Sequence, residues 1–163
     1  MDILAKITTV EKLTAELEPR RRAGQKIVFT NGCFDLLHVG HVRYLAAARS
    51  WGDVLVVGLN SDESVRLIKG EKRPLVEQHQ RAEVLASLWC VDYVVLFDEP
   101  DPLNLIRALE PDLLVKGGDW PEDAIVGADF VKSRGGSVQR IPLVPGACTS
   151  GIIQTIVNRY AKD

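Results

Sequence analysis

Apolar positions along the chain follow two alternating patterns. Short β-branched runs recur at Lys26–Thr30, Asp53–Leu59, Asp92–Phe97, Asp112–Val115 and Ser137–Ile141. Runs of this kind read as strands of a sheet covered on both faces. Between them lie segments with a 3.6-residue apolar period, which read as helices. The first is Thr8–Arg22, with Val10, Leu13 and Leu17 on one face and Thr9 as its cap. His41–Ser50, Gln78–Trp89 (Ala82, Leu85 and Trp89 on one face), Pro102–Leu109, Ala128–Arg134 and Thr149–Tyr160 follow. The punctuation agrees: Gly24, Gly52 and Gly135-Gly136 stop helices, and Pro102 opens one where its missing N–H costs nothing. Asn31-Gly32 reads as a tight turn, Asn60-Ser61-Asp62 as caps for a helical turn, and the basic, Gly70-containing stretch Leu67–Pro74 as a loop.

Strand and helix alternate almost without exception. That pattern predicts a doubly wound, five-stranded parallel sheet of the Rossmann-like α/β class. Residues 1–24 are expected as an N-terminal helical extension and residues 25–163 as the α/β core of one domain.

Composition narrows the partners. The 163 residues carry 20 Lys plus Arg against 22 Asp plus Glu, a net charge of −2. That balance argues against a nucleic-acid polymer as partner. The longest apolar run, Val54–Leu59, is far short of the ~20 residues of a membrane span, and the acidic start at Met1-Asp2 does not read as a leader. Cys33, Cys90 and Cys148 are odd in number and include no C-x-x-C pair. They are expected as free thiols in a reducing, cytoplasmic setting.

In a doubly wound sheet, ligands bind beyond the carboxyl ends of the strands. After the first strand stands T-N-G-C-F-D-L-L-H-V-G-H, Thr30 to His41. His38 and His41 fall three residues apart, on one face of an incoming helix. The N–H groups of such a helix start form an anion site, and Gly40 lets a phosphate approach the backbone. The stretch therefore reads as a phosphate clamp built on Thr30, Asn31, Gly32, Cys33, Phe34, His38, Gly40 and His41. Cys33, His38 and His41 alone lack a fourth metal ligand at the usual spacing. Lys116-Gly117-Gly118-Asp119-Trp120 follows the fourth strand, and its glycines permit a backbone that wraps a base or ribose. Cys148-Thr149-Ser150 opens the last helix as a second anion site or as ordinary caps. Lys69, Lys72 and Arg73 read by themselves as a solvated basic run. Arg81 reads equally as a solvent-facing partner of Glu77 or as a support of the site, and His79 as a surface residue. No G-x-G-x-x-G, G-x-x-x-x-G-K-[ST] or G-x-S-x-G stands in the chain, which disfavours dehydrogenase, P-loop and hydrolase readings.

The Thr30–His41 stretch resembles the HxGH signature of the cytidylyltransferase-like nucleotidyltransferases. Lys69-Gly70 with Arg73-Pro74, Arg81 with Val91-Asp92, Val115–Trp120, Ile125–Ala128 and Thr149-Ser150 before Ile152-Ile153 resemble its heptose 1-phosphate adenylyltransferase branch. The likeness runs from about Lys26 to the C-terminus. Where Cys148 stands, the branch usually has a serine.

The resemblance implies transfer of AMP from ATP to D-glycero-β-D-manno-heptose 1-phosphate, giving ADP-heptose and pyrophosphate for lipopolysaccharide core synthesis. It implies His38, His41 and Lys69 as catalytic groups. Arg73, Lys116, Gly117, Asp119, Thr149 and Ser150 would bind nucleotide or phosphate beside the Thr30–Gly40 residues. Mg²⁺ would enter mainly on the ATP phosphates. It also implies a functional link to a separate heptose 7-phosphate kinase, and leaves a homodimer open. Two alternatives share the motif: a cytidylyltransferase for glycerol 3-phosphate or ethanolamine phosphate, and a non-catalytic nucleotide sensor.

Overall fold

The computed structural model describes residues 2–118, 121 and 124–161. The elements are β1 (Ile7–Thr8), α1 (Val10–Arg22), β2 (Ile27–Gly32), α2 (Val39–Arg49), β3 (Val54–Asn60), α3 (Asp62–Lys69), α4 (Gln78–Ala86), β4 (Tyr93–Phe97), α5 (Leu103–Leu109), β5 (Leu113–Gly117), α6 (Ala128–Ser133), β6 (Ser137–Ile141) and α7 (Thr149–Tyr160). The strands form one parallel sheet in the order β1-β4-β3-β2-β5-β6.

Two apolar layers sandwich the sheet. On one face Leu13 and Leu17 of α1 and Leu105, Ile106 and Leu109 of α5 cover Ile27, Phe29, Val54, Val56 and Leu114. On the other, Leu45 and Ala48 of α2 and Ala82, Leu85 and Ala86 of α4 cover Val28, Leu55, Val57, Val94 and Val115. β3 is buried along its whole length, which is why Val54–Leu59 shows no alternation. The doubly wound parallel class expected from the pattern is the observed one.

Several boundaries differ from the sequence reading, each for a local reason. A sixth strand, β1, pairs Ile7 with Val94 and Thr8 with Val95. At two residues it is too short to leave a periodic signal, and it moves the helix start from Thr8 to Val10. Thr9 caps that helix, accepting from Lys12 N at 3.4 Å. Asn31-Gly32 is no turn: it continues β2, opposite Gly58 and Leu59. The following helix starts at Val39, ahead of His41. Leu67–Lys69 is the end of α3 and not loop. Ser61 caps that helix, Asp62 and Glu63 sit in its first turn and Arg66 and Lys69 in its last, the arrangement the helix dipole favours. Gly70, at φ +92°, ends it. α4 stops at Ala86, leaving Trp89 at 77 % exposure rather than on the buried face. Among the described residues, no helix is long and apolar enough to cross a membrane. Cys33, Cys90 and Cys148 are unpaired thiols.

Candidate active site

The chain leaves β2 in both directions across the sheet, toward β3 on one side and later β5 on the other. This is the switch point at which such sheets bind ligands. β2 pairs with β3 from Ile27 through Gly32, but with β5 only at Val28–Leu113 and Phe29–Leu114. Two side chains bridge the strands past that pairing. The Tyr44 hydroxyl lies 2.7 Å from Thr30 Oγ1 and donates to the Val115 carbonyl at 3.0 Å. The Lys116 ammonium donates to Asn31 Oδ1. Burial pulls Lys116 from its ordinary 10.5 to about 8, with the nearby Cys33 acting weakly the other way.

The histidines stand at the start of α2. His38 is its N-cap: Nδ1 accepts from Gly40 N at 3.1 Å, which leaves Nε2 as the ring's N–H donor. His41 stacks on it, with centroids 3.9 Å apart and planes 22° apart. The Phe34 ring also packs on His41, in a T-shaped arrangement with centroids 5.3 Å apart. Phe34 itself sits at φ +43°, a left-handed conformation. Burial, and then the charge of His38, pushes His41 down to about 4, so it is neutral at pH 7. Its Nδ1 is buried without a hydrogen-bond partner. Gly40 is required by the clamp itself rather than only by an incoming phosphate. A Cβ there would lie 2.9 Å from the His38 ring and 3.3 Å from Ala147 Cβ.

Below the histidines lies a buried polar frame. Asp35, its side chain fully buried, accepts from Leu75 N and Val76 N at 2.9 Å and from Arg73 Nε at 2.5 Å. Burial alone would raise its pKa, but those two N–H groups and the guanidinium together hold it below the usual range. Arg81 is 1 % exposed, so the solvent-facing reading is replaced by support of the site. It donates to Val76 O at 2.8 Å, Cys33 O at 2.6 Å, Asn60 O at 2.9 Å and Asp62 Oδ1 at 2.7 Å. Burial raises the Cys33 thiol, and the positive charges of Lys69, Arg81 and Arg73 act against that, which places Lys69 within electrostatic reach of the β2 end.

α7 closes the other side. Thr149 Oγ1 donates to Leu36 O at 3.3 Å, tying its first turn to the β2–α2 loop. Cys148 is the N-cap, its Sγ accepting from Gly151 N at 3.3 Å. Sulfur is a weaker acceptor than a hydroxyl oxygen, so Cys148→Ser is expected to stabilise the fold by about 0.5–1 kcal/mol. Chemical denaturation of the two proteins measures this directly.

The structure thus gathers Asn31, Cys33, Phe34, His38, Gly40, His41, Lys116 and Thr149 at one end of the sheet. Thr30 is fully buried and its hydroxyl lies against that of Tyr44, so its side chain braces the site. Arg73 is engaged by Asp35. Ile125–Ala128 packs against α5: Gly127, at φ +86°, has no room for a Cβ, which would fall 2.6 Å from Ile106 Cδ1. Ser150 is exposed in the first turn of α7, and Gly117 ends β5 half-buried. Asp119 lies outside the described residues. Asp35 and Tyr44 were missed. Asp35 had a signal, an acid inside an otherwise apolar F-D-L-L stretch, whereas Tyr44 reads as one more residue of a helix.

Residues 29–150 match the family model described as cytidylyltransferase-like. The chain is 55 % identical over 159 residues, 98 % of its length, to the Bifunctional protein HldE of Geobacter metallireducens. It is 56 % identical over 158 residues, 97 % of its length, to that of Syntrophotalea carbinolica. It spans about a third of the length of these relatives. The crystal structure of a lipopolysaccharide core biosynthesis protein from Thermoplasma volcanium superposes with a TM-score of 0.61 at 28 % identity, over 74 % of this chain and 98 % of that one. A Francisella tularensis pantoate–β-alanine ligase shares the fold, at a TM-score of 0.60 and 18 % identity over 96 % of this chain and 79 % of that one. With its paired histidines at the head of α2 and a family match over most of its length, the chain belongs to the cytidylyltransferase-like nucleotidyltransferase family.

Proposed function

We propose that the chain is an adenylyltransferase that joins ATP and D-glycero-β-D-manno-heptose 1-phosphate into ADP-heptose, releasing pyrophosphate. The observation that carries this reading is the stacked His38–His41 pair on the helix start, beside the buried Lys116 of the K-G-G stretch.

The attacking group is the sugar phosphate oxygen. With a second pKa near ~6, it is already ionised at neutral pH, so the site requires no general base. This chain's residues then position phosphates and absorb developing charge. The Nε2 N–H of His38 and the neutral His41 ring donate to phosphate oxygens as the α-phosphorus changes partners. Lys69 neutralises the departing pyrophosphate, and the start of α7 with Thr149 and Ser150 offers further N–H and O–H donors. Gly117 borders the nucleotide, and Asp119 is assigned to nucleotide binding on the family resemblance alone. Among the described residues no cluster of three or more His, Cys, Asp or Glu is arranged to hold a metal ion. The buried Asp35 carboxylate is already saturated. This donor set suits Mg²⁺ held by the ATP phosphates and water, where it supplies neutralising charge. The reading extends to a cytoplasmic setting and to a functional link with a heptose 7-phosphate kinase, whose bisphosphate product loses its 7-phosphate before it serves as substrate; it leaves a homodimer open.

Lys116 gives this reading a pH signature. Its ammonium is mostly charged at pH 7, half charged near pH 8 and mostly neutral above pH 9. The KM for ATP is therefore expected to climb above pH 8 in the native protein. In Lys116→Met it is expected to be raised at pH 7 and flat through that range. The stability sign is opposite. Between about 8 and 10.5 the unfolded chain binds more protons than the folded one, so Lys116's contribution to stability improves as pH rises through that window. Initial rates and thermal melts across pH 7–10 read both effects.

The substrate assignment is tested by pyrophosphate release with ATP or CTP against a panel of sugar and alcohol phosphates. Release only with CTP and glycerol 3-phosphate or ethanolamine phosphate would favour a cytidylyltransferase. Release with no pair would favour a nucleotide sensor.

A further inference from the structure

We infer that Arg73 and Asp35 are positioning residues, which pin the segment after α3 to the floor of the site so that Lys69 reaches the triphosphate. The inference rests on the adenylyltransferase reading and changes the role of one of its cations.

The segment Gly70–Val76 is held very unequally. Lys69, Gly70, Glu71 and Lys72 are exposed, and Gly70 sits at φ +92° with nothing within 4 Å of an added Cβ. This end is held by backbone hydrogen bonds, Gly70 N–H to Arg66 O at 2.8 Å and Arg73 N–H to Gly70 O at 3.0 Å. Four residues on, the anchoring is dense. Asp35 takes the backbone N–H groups of Leu75 and Val76 and the Arg73 guanidinium, and Arg81 takes the Val76 carbonyl from below.

Asp35 lies four residues past Asn31 and three before His38, in the loop that carries the clamp. Arg81 extends the frame to Cys33 O and to Asn60 O at the end of β3. The clamp loop, the end of β3 and the Lys69 segment thus share one set of hydrogen bonds. A guanidinium bonded at 2.5 Å to a fully buried carboxylate is neutralised there. Moving it onto a phosphate would strand the Asp35 charge in the interior, a costly exchange. Arg73 therefore acts on the reaction through the segment it fastens, and Lys69, the last residue of α3 immediately before that segment, is the cation that meets pyrophosphate.

Two double-mutant cycles test this, with trypsin cleavage after Lys69 and Lys72 in the folded protein as an independent readout. Arg73→Ala and Asp35→Asn are each expected to lower kcat/KM for ATP by about 10–100-fold, the cost of misplacing a catalytic group. The loss should fall mainly in kcat, trypsin should cut the segment faster, and the double variant should be no worse than the poorer single. In the second cycle Lys69→Ala should cost far less in an Arg73→Ala background than in the native one. Arg73→Lys should recover part of the trypsin resistance, since an ammonium can still reach Asp35. If Asp35→Asn does not fold, the Arg73–Lys69 cycle and the proteolysis decide alone. Additive losses with unchanged cleavage would overturn the inference and make Arg73 a direct phosphate contact. Absence of pyrophosphate release in the native protein would instead overturn the adenylyltransferase reading, while faster cleavage of Arg73→Ala would still report the tether.

Discussion

His41→Ala is expected to slow pyrophosphate release by about 10²–10³-fold, the usual cost of deleting one donor aimed at transition-state charge. The melting temperature should stay within about 2 °C of the native value. Both halves follow from where the ring sits. It is stacked on His38 and packed in a T-shape with Phe34, so it is preorganised and costs little rearrangement at the moment of reaction. Yet its Nδ1 is buried without a partner, so the fold already bears a desolvation cost that alanine removes, offsetting the lost packing. The neutral state adds a pH consequence. With His41 at about 4 in the folded chain and 6.5 when unfolded, the unfolded chain binds more protons in that interval. Its contribution to stability is therefore lost as pH falls through the window. A steady-state assay and a thermal melt on one preparation check the pair of effects. A variant that turns over normally would contradict the clamp.

Arg81→Ala is expected to be the most destabilising single change, by about 3–5 kcal/mol, because it breaks a buried charged network and leaves a cavity. Three carbonyl acceptors and the Asp62 carboxylate lose their partner together. Arg81→Lys should recover little: an ammonium cannot span Val76, Cys33, Asn60 and Asp62 with the geometry of a planar fork. Urea denaturation measures the difference, and a loss under about 1 kcal/mol would show that the frame is not coupled to global unfolding.

The sheet was legible because its strands are buried on both faces, so Lys26–Thr30 and Asp53–Leu59 announce themselves by composition alone. The edge strand β1 was not: two residues of pairing leave no period. Asn31-Gly32 looked like a turn because those residue types favour turns, but pairing with Gly58 and Leu59 overrode local preference. The histidine clamp was visible from spacing, since three residues on a helix place two rings on one face. Its support was hidden, because it comes from long-range partners. Asp35 meets Leu75 and Val76 forty and forty-one residues away, and Tyr44 meets Val115 seventy-one away. Arg73 and Lys72 look alike in sequence. The resemblance singles out Arg73 for a phosphate, but only the fold shows it paired with a buried acid.

The central claim is that this site joins ATP to a sugar 1-phosphate at the α-phosphorus. Phosphorus NMR of the native protein with ATP, Mg²⁺ and D-glycero-β-D-manno-heptose 1-phosphate tests it most directly. The account predicts one equivalent of pyrophosphate and the coupled doublets of a new diphosphate ester, both lost with His41→Ala. ATP left unchanged with the heptose phosphate, beside turnover of CTP with an alcohol phosphate, would contradict it.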